Sequence, residues 1–155
     1  MESSKFNGGG IINPIDIDVQ IVILDSAIIP TYGTSESAGC DVYSTIDGAI
    51  EPGKRSGLIP TGIAMKIPEG FYCNIEPRSS LAHKFGISVL GGIVDSDYVN
   101  QVFIILQNDG EVPFVYKRGD RVAQFIFKQY ARVTFKKVES LENTQRNGGF
   151  GSTGV

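Results

Sequence analysis

Gly91-Gly92-Ile93-Val94-Asp95-Ser96-Asp97-Tyr98 lies in mid-chain with apolar sequence on both sides. Glycines let a backbone bend sharply or come close to a ligand. Asp95 and Asp97, two residues apart, point the same way on an extended strand. The stretch therefore reads as a tight hairpin that pushes carboxylates and a tyrosine out of a β core. Such a string on its own is more often an ordinary polar turn, so its surroundings decide the reading.

Those surroundings are β-like. On the N-terminal side, Ile15, Ile17, Val19, Ile21 and Ile23 alternate with Asp16, Asp18 and Gln20, which predicts a strand. Pro30 to Gly39 is a loop, Cys40 to Tyr43 is extended, and Glu51-Pro52-Gly53 is a turn. Ile63, Met65 and Ile67, then Pro68-Glu69-Gly70, then Phe71, Cys73 and Ile75 predict a hairpin. One short helix follows, capped by Ser79 or Ser80, filled by Leu81 to Phe85 and ended by Gly86. On the C-terminal side, Val102 to Leu106 is a continuous apolar run, expected to be buried on both faces. Asn108-Asp109-Gly110 turns the chain, and Val112 to Tyr116, Val122 to Phe127 and Ala131 to Val138 are further strands. Many short strands and one brief helix predict an all-β sandwich, jelly roll or barrel. The polar, glycine-containing residues 1–14 read as a flexible tail, 15–140 as one β domain, and the Gly/Ser/Thr-rich end, 141–155, as a flexible arm.

Composition narrows the function. The 155 residues suit one domain, and 41% are hydrophobic, enough for a core. A net charge of -3 carries no footprint for duplex nucleic acid or an anionic membrane. No apolar run approaches the ~20 residues of a membrane span. The N-terminus lacks the apolar core of a secretion signal, and Cys40 and Cys73 make no disulfide framework, so a reduced intracellular protein is expected. With His83 the lone histidine, a His/Cys zinc cluster is excluded, and any metal should be a hard cation held by oxygens.

Four other stretches carry chemistry. In Glu76-Pro77-Arg78-Ser79-Ser80-Leu81-Ala82, a guanidinium, two hydroxyls and helix-start amides suit a phosphate. In Gly119-Asp120-Arg121-Val122-Ala123-Gln124, Asp120 and Arg121 can form an ion pair, and Gln124 faces away from one core face. In Arg146-Asn147-Gly148-Gly149-Phe150-Gly151-Ser152-Thr153-Gly154, glycines surround one aromatic that can cover a ring while amides and hydroxyls meet phosphates. In Ser37-Ala38-Gly39-Cys40-Asp41, the acid is either structural or an organiser of water near a metal.

In order and spacing these stretches resemble the five motifs of the homotrimeric dUTP diphosphatase (dUTPase) family: Ala38 to Val42, Pro77 to Ala82, Gly92 to Tyr98, Gly119 to Gln124 and Gly149 to Gly154. The resemblance covers roughly Ile21 to Gly154. It implies a jelly-roll-like β-barrel subunit, a homotrimer with active sites shared between chains, and a C-terminal arm that closes a neighbouring site. It implies hydrolysis of dUTP to dUMP and diphosphate with Mg²⁺, held mainly by the triphosphate and water. That reaction limits uracil incorporation into DNA and supplies dUMP for thymidylate synthesis.

Carried over by motif, Asp95 is the general base and Tyr98 packs on the deoxyribose and rejects a 2′-hydroxyl. The backbone of Gly92, Ile93 and Val94 meets uracil, with Phe103 beside the pocket. Arg78, Ser79, Ser80 and Gln124 contact the phosphates. Arg146 clamps the γ-phosphate, Phe150 stacks on uracil, Gly151 and Ser152 donate to phosphate oxygens, and Asp41 supports the metal-bound waters. The chain departs from the family pattern at Ser80, where glycine is common. Val99-Asn100-Gln101 stands where Arg-Gly-Glu is common, and only Asn147 separates Arg146 from Gly148 where two residues are usual. Rival readings are a dCTP deaminase-like enzyme of the same fold, a nucleotide-gated regulatory binding protein and a structural assembly protein. Asp95-Ser96-Asp97-Tyr98 and the full motif set argue for the hydrolase.

Overall fold

A computed structural model describes residues 15–142. In chain order the strands are β1 (Gln20–Ile23), β2 (Thr31–Tyr32), β3 (Cys40–Tyr43), β4 (Gly48–Ile50), β5 (Ile59–Lys66) and β6 (Phe71–Glu76). The helix α1 (Ser79–Phe85) is followed by β7 (Ile87–Leu90), β8 (Ile93–Val94), β9 (Gln101–Asn108), β10 (Phe114–Tyr116) and β11 (Arg121–Gln129). They form a four-stranded sheet in the order β1-β5-β9-β7, a five-stranded sheet β2-β3-β11-β6-β8 and a two-stranded ribbon β10-β4. All the pairings are antiparallel. Inward residues of both large sheets, among them Ile59, Met65, Ile104 and Leu106 on one and Val42, Cys73, Ile75 and Phe125 on the other, merge into one core. The expected all-β, jelly-roll-like architecture is what the chain adopts, with one short helix among the described residues.

The connections differ from those expected. Among the described residues only β2 and β3 are both consecutive in sequence and paired with each other. The turn at Pro68-Glu69-Gly70 does not make a hairpin. It carries the chain from β5 in one sheet to β6 in the other. Gly91-Gly92 does the same between β7, which pairs with β9, and β8, which pairs with β6. Period-two patterning marks strands whose one face is buried, but it does not say which strand is the neighbour. In a two-layer fold a turn serves equally well as a corner between layers.

Other differences are local. The first strand begins at Gln20 rather than Ile15, because its partner β5 ends at Lys66, opposite Gln20. The strand expected from Val112 begins at Phe114, just after Pro113, whose nitrogen has no hydrogen to donate. β9 buries Val102, Ile104 and Leu106 fully but leaves Phe103 and Ile105 half-buried, so only one face is sealed. Ala131 to Val138 forms no strand. Its alternation finds no partner within the described chain, and Phe135 stands 93% exposed. The α1 N-cap is Arg78, not a serine: no side chain caps the helix, and the Arg78 carbonyl accepts from the amides of Leu81 and Ala82. Gly86 ends the helix as expected, with φ +66, its N–H donating back to Ala82 and Leu81. Burial pushes the thiol pKa values of both free cysteines, Cys40 and Cys73, upward, so both stay neutral core residues.

Asn108 ties the ribbon to the end of β9. Its fully buried amide donates to the carbonyls of Ile50 and Val112, each at 2.8 Å, and its Oδ1 accepts from Gly110 N–H at 2.9 Å. Replacing Asn108 by alanine leaves these backbone groups unpaired in the interior. Chemical denaturation should show a loss of about 2–4 kcal/mol. A loss under about 0.5 kcal/mol would mean that water replaces the amide without cost.

Candidate active site

Two separate groups of side chains stand out. The first lies across β3, β11 and the end of β6. Along β3, Cys40 and Val42 point inward, so Asp41 points outward. Asp41 lies opposite Gln124 of β11, which in turn lies opposite Glu76 of β6. Arg78, just past β6, donates from Nε to Asp41 Oδ1 at 2.8 Å, and Arg121 donates from Nη1 to Oδ2 at 3.3 Å. The Arg78 and Asp41 side chains are only 21% and 19% exposed. Gln124 donates from Nε2 to the Pro77 carbonyl at 3.0 Å, fixing the approach to α1. Ser79 and Ser80 open that helix and are exposed. Two guanidiniums share one carboxylate, which leaves a net positive charge with unused N–H donors, the right chemistry for a phosphate chain.

The ion pair that Asp120 and Arg121 could form by adjacency is not made. Instead Asp120 Oδ2 accepts from Lys117 N–H at 2.8 Å, closing its own turn, and Arg121 reaches across to β3. A register shift in the β11–β3 pairing between Arg121 and Ala123 accompanies this. Arg121 is thus a member of the cluster that the sequence reading did not select.

The second group follows β8. Ile75 N–H donates to the Gly92 carbonyl at 2.7 Å, and a Cβ at Gly92 would sit 2.5 Å from the Ile75 carbonyl oxygen. Only glycine lets the chain pass that close onto β6. Val94 points into the core and Ile93 points out. Asp95 and Asp97 then lie in a turn, not on a strand, so the expectation that they share a strand face fails. Asp95 is exposed. Its carbonyl accepts from Tyr98 N–H at 3.1 Å, and the Tyr98 hydroxyl donates to the Gln101 carbonyl at 2.9 Å. Asp95 rims a cleft of about 1220 Å³ that Lys66, Pro68, Tyr72, Ile93 and Tyr130 also line. Phe103 lies on β9, opposite Pro60 and half-buried.

The two groups do not meet within one chain. β8 pairs Val94 with Cys73, so Asp95 lies beyond Cys73 toward Tyr72, whereas the phosphate-type cluster lies at and past Glu76. Three strand spacings and four residues along β6 separate Asp95 from Asp41 by roughly 20 Å. Arg146, Phe150, Gly151 and Ser152, and both expected tails, lie outside the described residues. Among the described residues no group of three or more His, Cys, Asp or Glu side chains is arranged to hold a metal. The Asp41 oxygens each have a lone pair beyond their arginine partner, which fits hydrogen bonding to metal-bound water rather than direct ligation.

Comparison with known proteins identifies the family. The family model described as dUTPase matches residues 25–154. A deoxyuridine 5'-triphosphate nucleotidohydrolase of Candida glabrata is 48% identical over 134 residues, covering 84% of this chain and 91% of that protein. The enzyme of the same name from Dictyoglomus turgidum is 46% identical over 133 residues, covering 82% and 90%. Among solved structures, a Staphylococcus bacteriophage 80alpha dUTPase mutant with dUpNHpp has the same fold, with a TM-score of 0.81 at 24% identity, covering 89% of this chain and 99% of that one. With a family match over most of its length and relatives approaching half identity over four fifths of it, the chain belongs to the dUTPase family.

Proposed function

We propose that the protein hydrolyses dUTP to dUMP and diphosphate, that Asp95 is the general base, and that each site is assembled from several copies of the chain. The observation that carries the assignment of Asp95 is its place: an exposed carboxylate at the end of β8, which is the outer strand of its sheet. An outer strand has one row of N–H and C=O groups with no ladder partner. Along Gly92-Ile93-Val94 an open backbone edge of this kind suits the hydrogen-bonding edge of uracil. The Gly92 carbonyl is already taken by Ile75, and Val94, two residues on and opposite Cys73, faces β6 as well, so the free backbone groups of Ile93 carry the recognition. Tyr98 stands against the deoxyribose, and Phe103 beside the base.

Asp95 takes a proton from water as the water oxygen bonds to the α-phosphorus. The bond from that phosphorus to the bridging oxygen breaks, and diphosphate leaves in line. Arg78, Ser79, Ser80 and Gln124 bind the phosphates, and Arg121 joins Arg78 in holding Asp41 and adding positive charge. Mg²⁺, bound to the triphosphate and water, spreads the charge on the phosphate oxygens when present. Asp41 is the residue that fits its waters. The arm residues Arg146, Phe150, Gly151 and Ser152 close the site over γ-phosphate and uracil. In this division 15–140 is the β domain and 141–155 the arm.

A homotrimer with shared sites is supported by the separation of Asp95 from the Asp41 cluster. It is also supported by Val133, Phe135 and Val138, apolar side chains left exposed when one chain stands alone. Two reduced, buried thiols are consistent with an intracellular protein, whose role is to keep uracil out of DNA and to provide dUMP.

Incubation with dUTP, dCTP, dTTP and UTP plus Mg²⁺, following diphosphate release and deamination, should give dUMP and diphosphate from dUTP alone. Asp95→Asn should lower kcat by several orders of magnitude, about 10³-fold or more, while dUTP still binds. Wild-type protein that leaves dUTP intact would refute the reaction. Undiminished turnover in Asp95→Asn would show that another group is the base.

A further inference from the structure

Gln101 stands in the Val99-Asn100-Gln101 stretch, where the chain departs from its family. The structure gives it two bonds that meet at Tyr98. Its side-chain Oε1 accepts from Gly62 N–H at 2.9 Å, and its backbone carbonyl accepts from the Tyr98 hydroxyl at 2.9 Å. Gly62 lies where the β5–β9 register shifts between Pro60 and Ala64, with φ +68. Such a bulge takes one backbone N–H out of the ladder, and that group needs another partner. Gln101 supplies it. The bulge is itself tied to the chain before it: Gly62 O accepts from Leu24 N–H at 2.8 Å, and a Cβ at Gly62 would lie 2.8 Å from the Leu24 carbonyl oxygen. The Tyr98 N–H in turn holds the Asp95 carbonyl. One line of hydrogen bonds thus runs from the β5 bulge through Gln101 to Tyr98 and on to the turn that carries Asp95.

We infer that Gln101 is a positioning residue for sugar selection: it anchors the carbonyl that holds the Tyr98 hydroxyl, and so keeps the ring where it excludes a 2′-hydroxyl. This rests on the reading of Tyr98 as the wall of the sugar site. Tyr98 is 39% exposed, so the core alone does not lock its ring. A wall that rejects one oxygen atom has to be held within a fraction of an ångström. The hydroxyl bond supplies the constraint, and its acceptor is only as fixed as Gln101.

The test compares kcat/KM for dUTP and UTP, with thermal unfolding measured alongside. Gln101→Leu, similar in size but without the acceptor, should lower the dUTP:UTP ratio roughly tenfold or more. Gln101→Glu keeps an oxygen acceptor and should retain most of the ratio. Tyr98→Phe should lose as much as Gln101→Leu, and Tyr98→Phe/Gln101→Leu no more than either, because both remove the same linkage. If Gln101→Leu does not fold, Gln101→Asn, one methylene too short to reach Gly62, takes its place with the same expected loss. A wild-type ratio in the Gln101 variants alongside a reduced one in Tyr98→Phe overturns the role of Gln101. A wild-type ratio in Tyr98→Ala instead overturns the sugar-wall reading, and the proposal falls with it.

Discussion

Gln124 to Gln129 of β11 lie opposite Glu76 to Phe71 of β6, while on the other edge of β11 Gln124 and Phe125 face Asp41 and Cys40. This register determines where the chemistry sits. It lines up Asp41, Gln124 and Glu76 across three strands at one end of the five-stranded sheet, and Arg78 follows from the end of β6. A slip of β11 by one residue would turn Gln124 into the core and bring Phe125 out. Phe125 and Cys73 are almost fully buried, so the hydrophobic core enforces the alignment of the polar cluster. The same strand β6 carries β8 on its far edge, where the pairing of Cys73 with Val94 sends Asp95 toward the opposite end. One sheet therefore both forms the phosphate-type cluster and holds the carboxylate away from it.

That separation has a functional consequence. A triphosphate cannot bring its α-phosphorus to Asp95 while its charge rests on Arg78 and Arg121 of the same chain, at roughly 15–20 Å along and across the sheet. A second copy supplying the missing half meets the constraint, and the exposed apolar side chains of Val133, Phe135 and Val138 give a reason for copies to associate. Assembly and catalysis then depend on the same geometry.

Much of the fold was legible in the residues. Alternation in β5 and β6 follows from burying one face and marked those strands correctly, as Gly86 marked the end of α1, while the unbroken apolar run of β9 marked a strand but not that one of its faces is only half-buried. Strand neighbours were not legible. Pro68-Glu69-Gly70 and Gly91-Gly92 look like hairpin turns because the chemistry of a tight turn is the same whether the next strand returns beside the last or crosses to the other layer. In the site, residue types at motif spacing pointed to Asp41, Arg78, Gln124 and Asp95. Arg121 was missed because a neighbour in sequence, Asp120, offered an easier partner than Asp41, which is 80 residues away. Gln101 was noticed only as the loss of a charge, since a side chain that pairs a backbone N–H of a distant bulge leaves no local pattern.

The most direct test of a site divided between copies is complementation. Asp95→Asn and Arg78→Ala chains are each expected to be impaired alone. Unfolded together and reassembled at equal concentration, they should recover about a quarter of wild-type turnover, because random mixing pairs an intact Asp95 from one copy with an intact Arg78 from another at that frequency. Turnover in the mixture no higher than the mean of the two separate variants would contradict the divided site and place the base and the phosphate cluster in one chain.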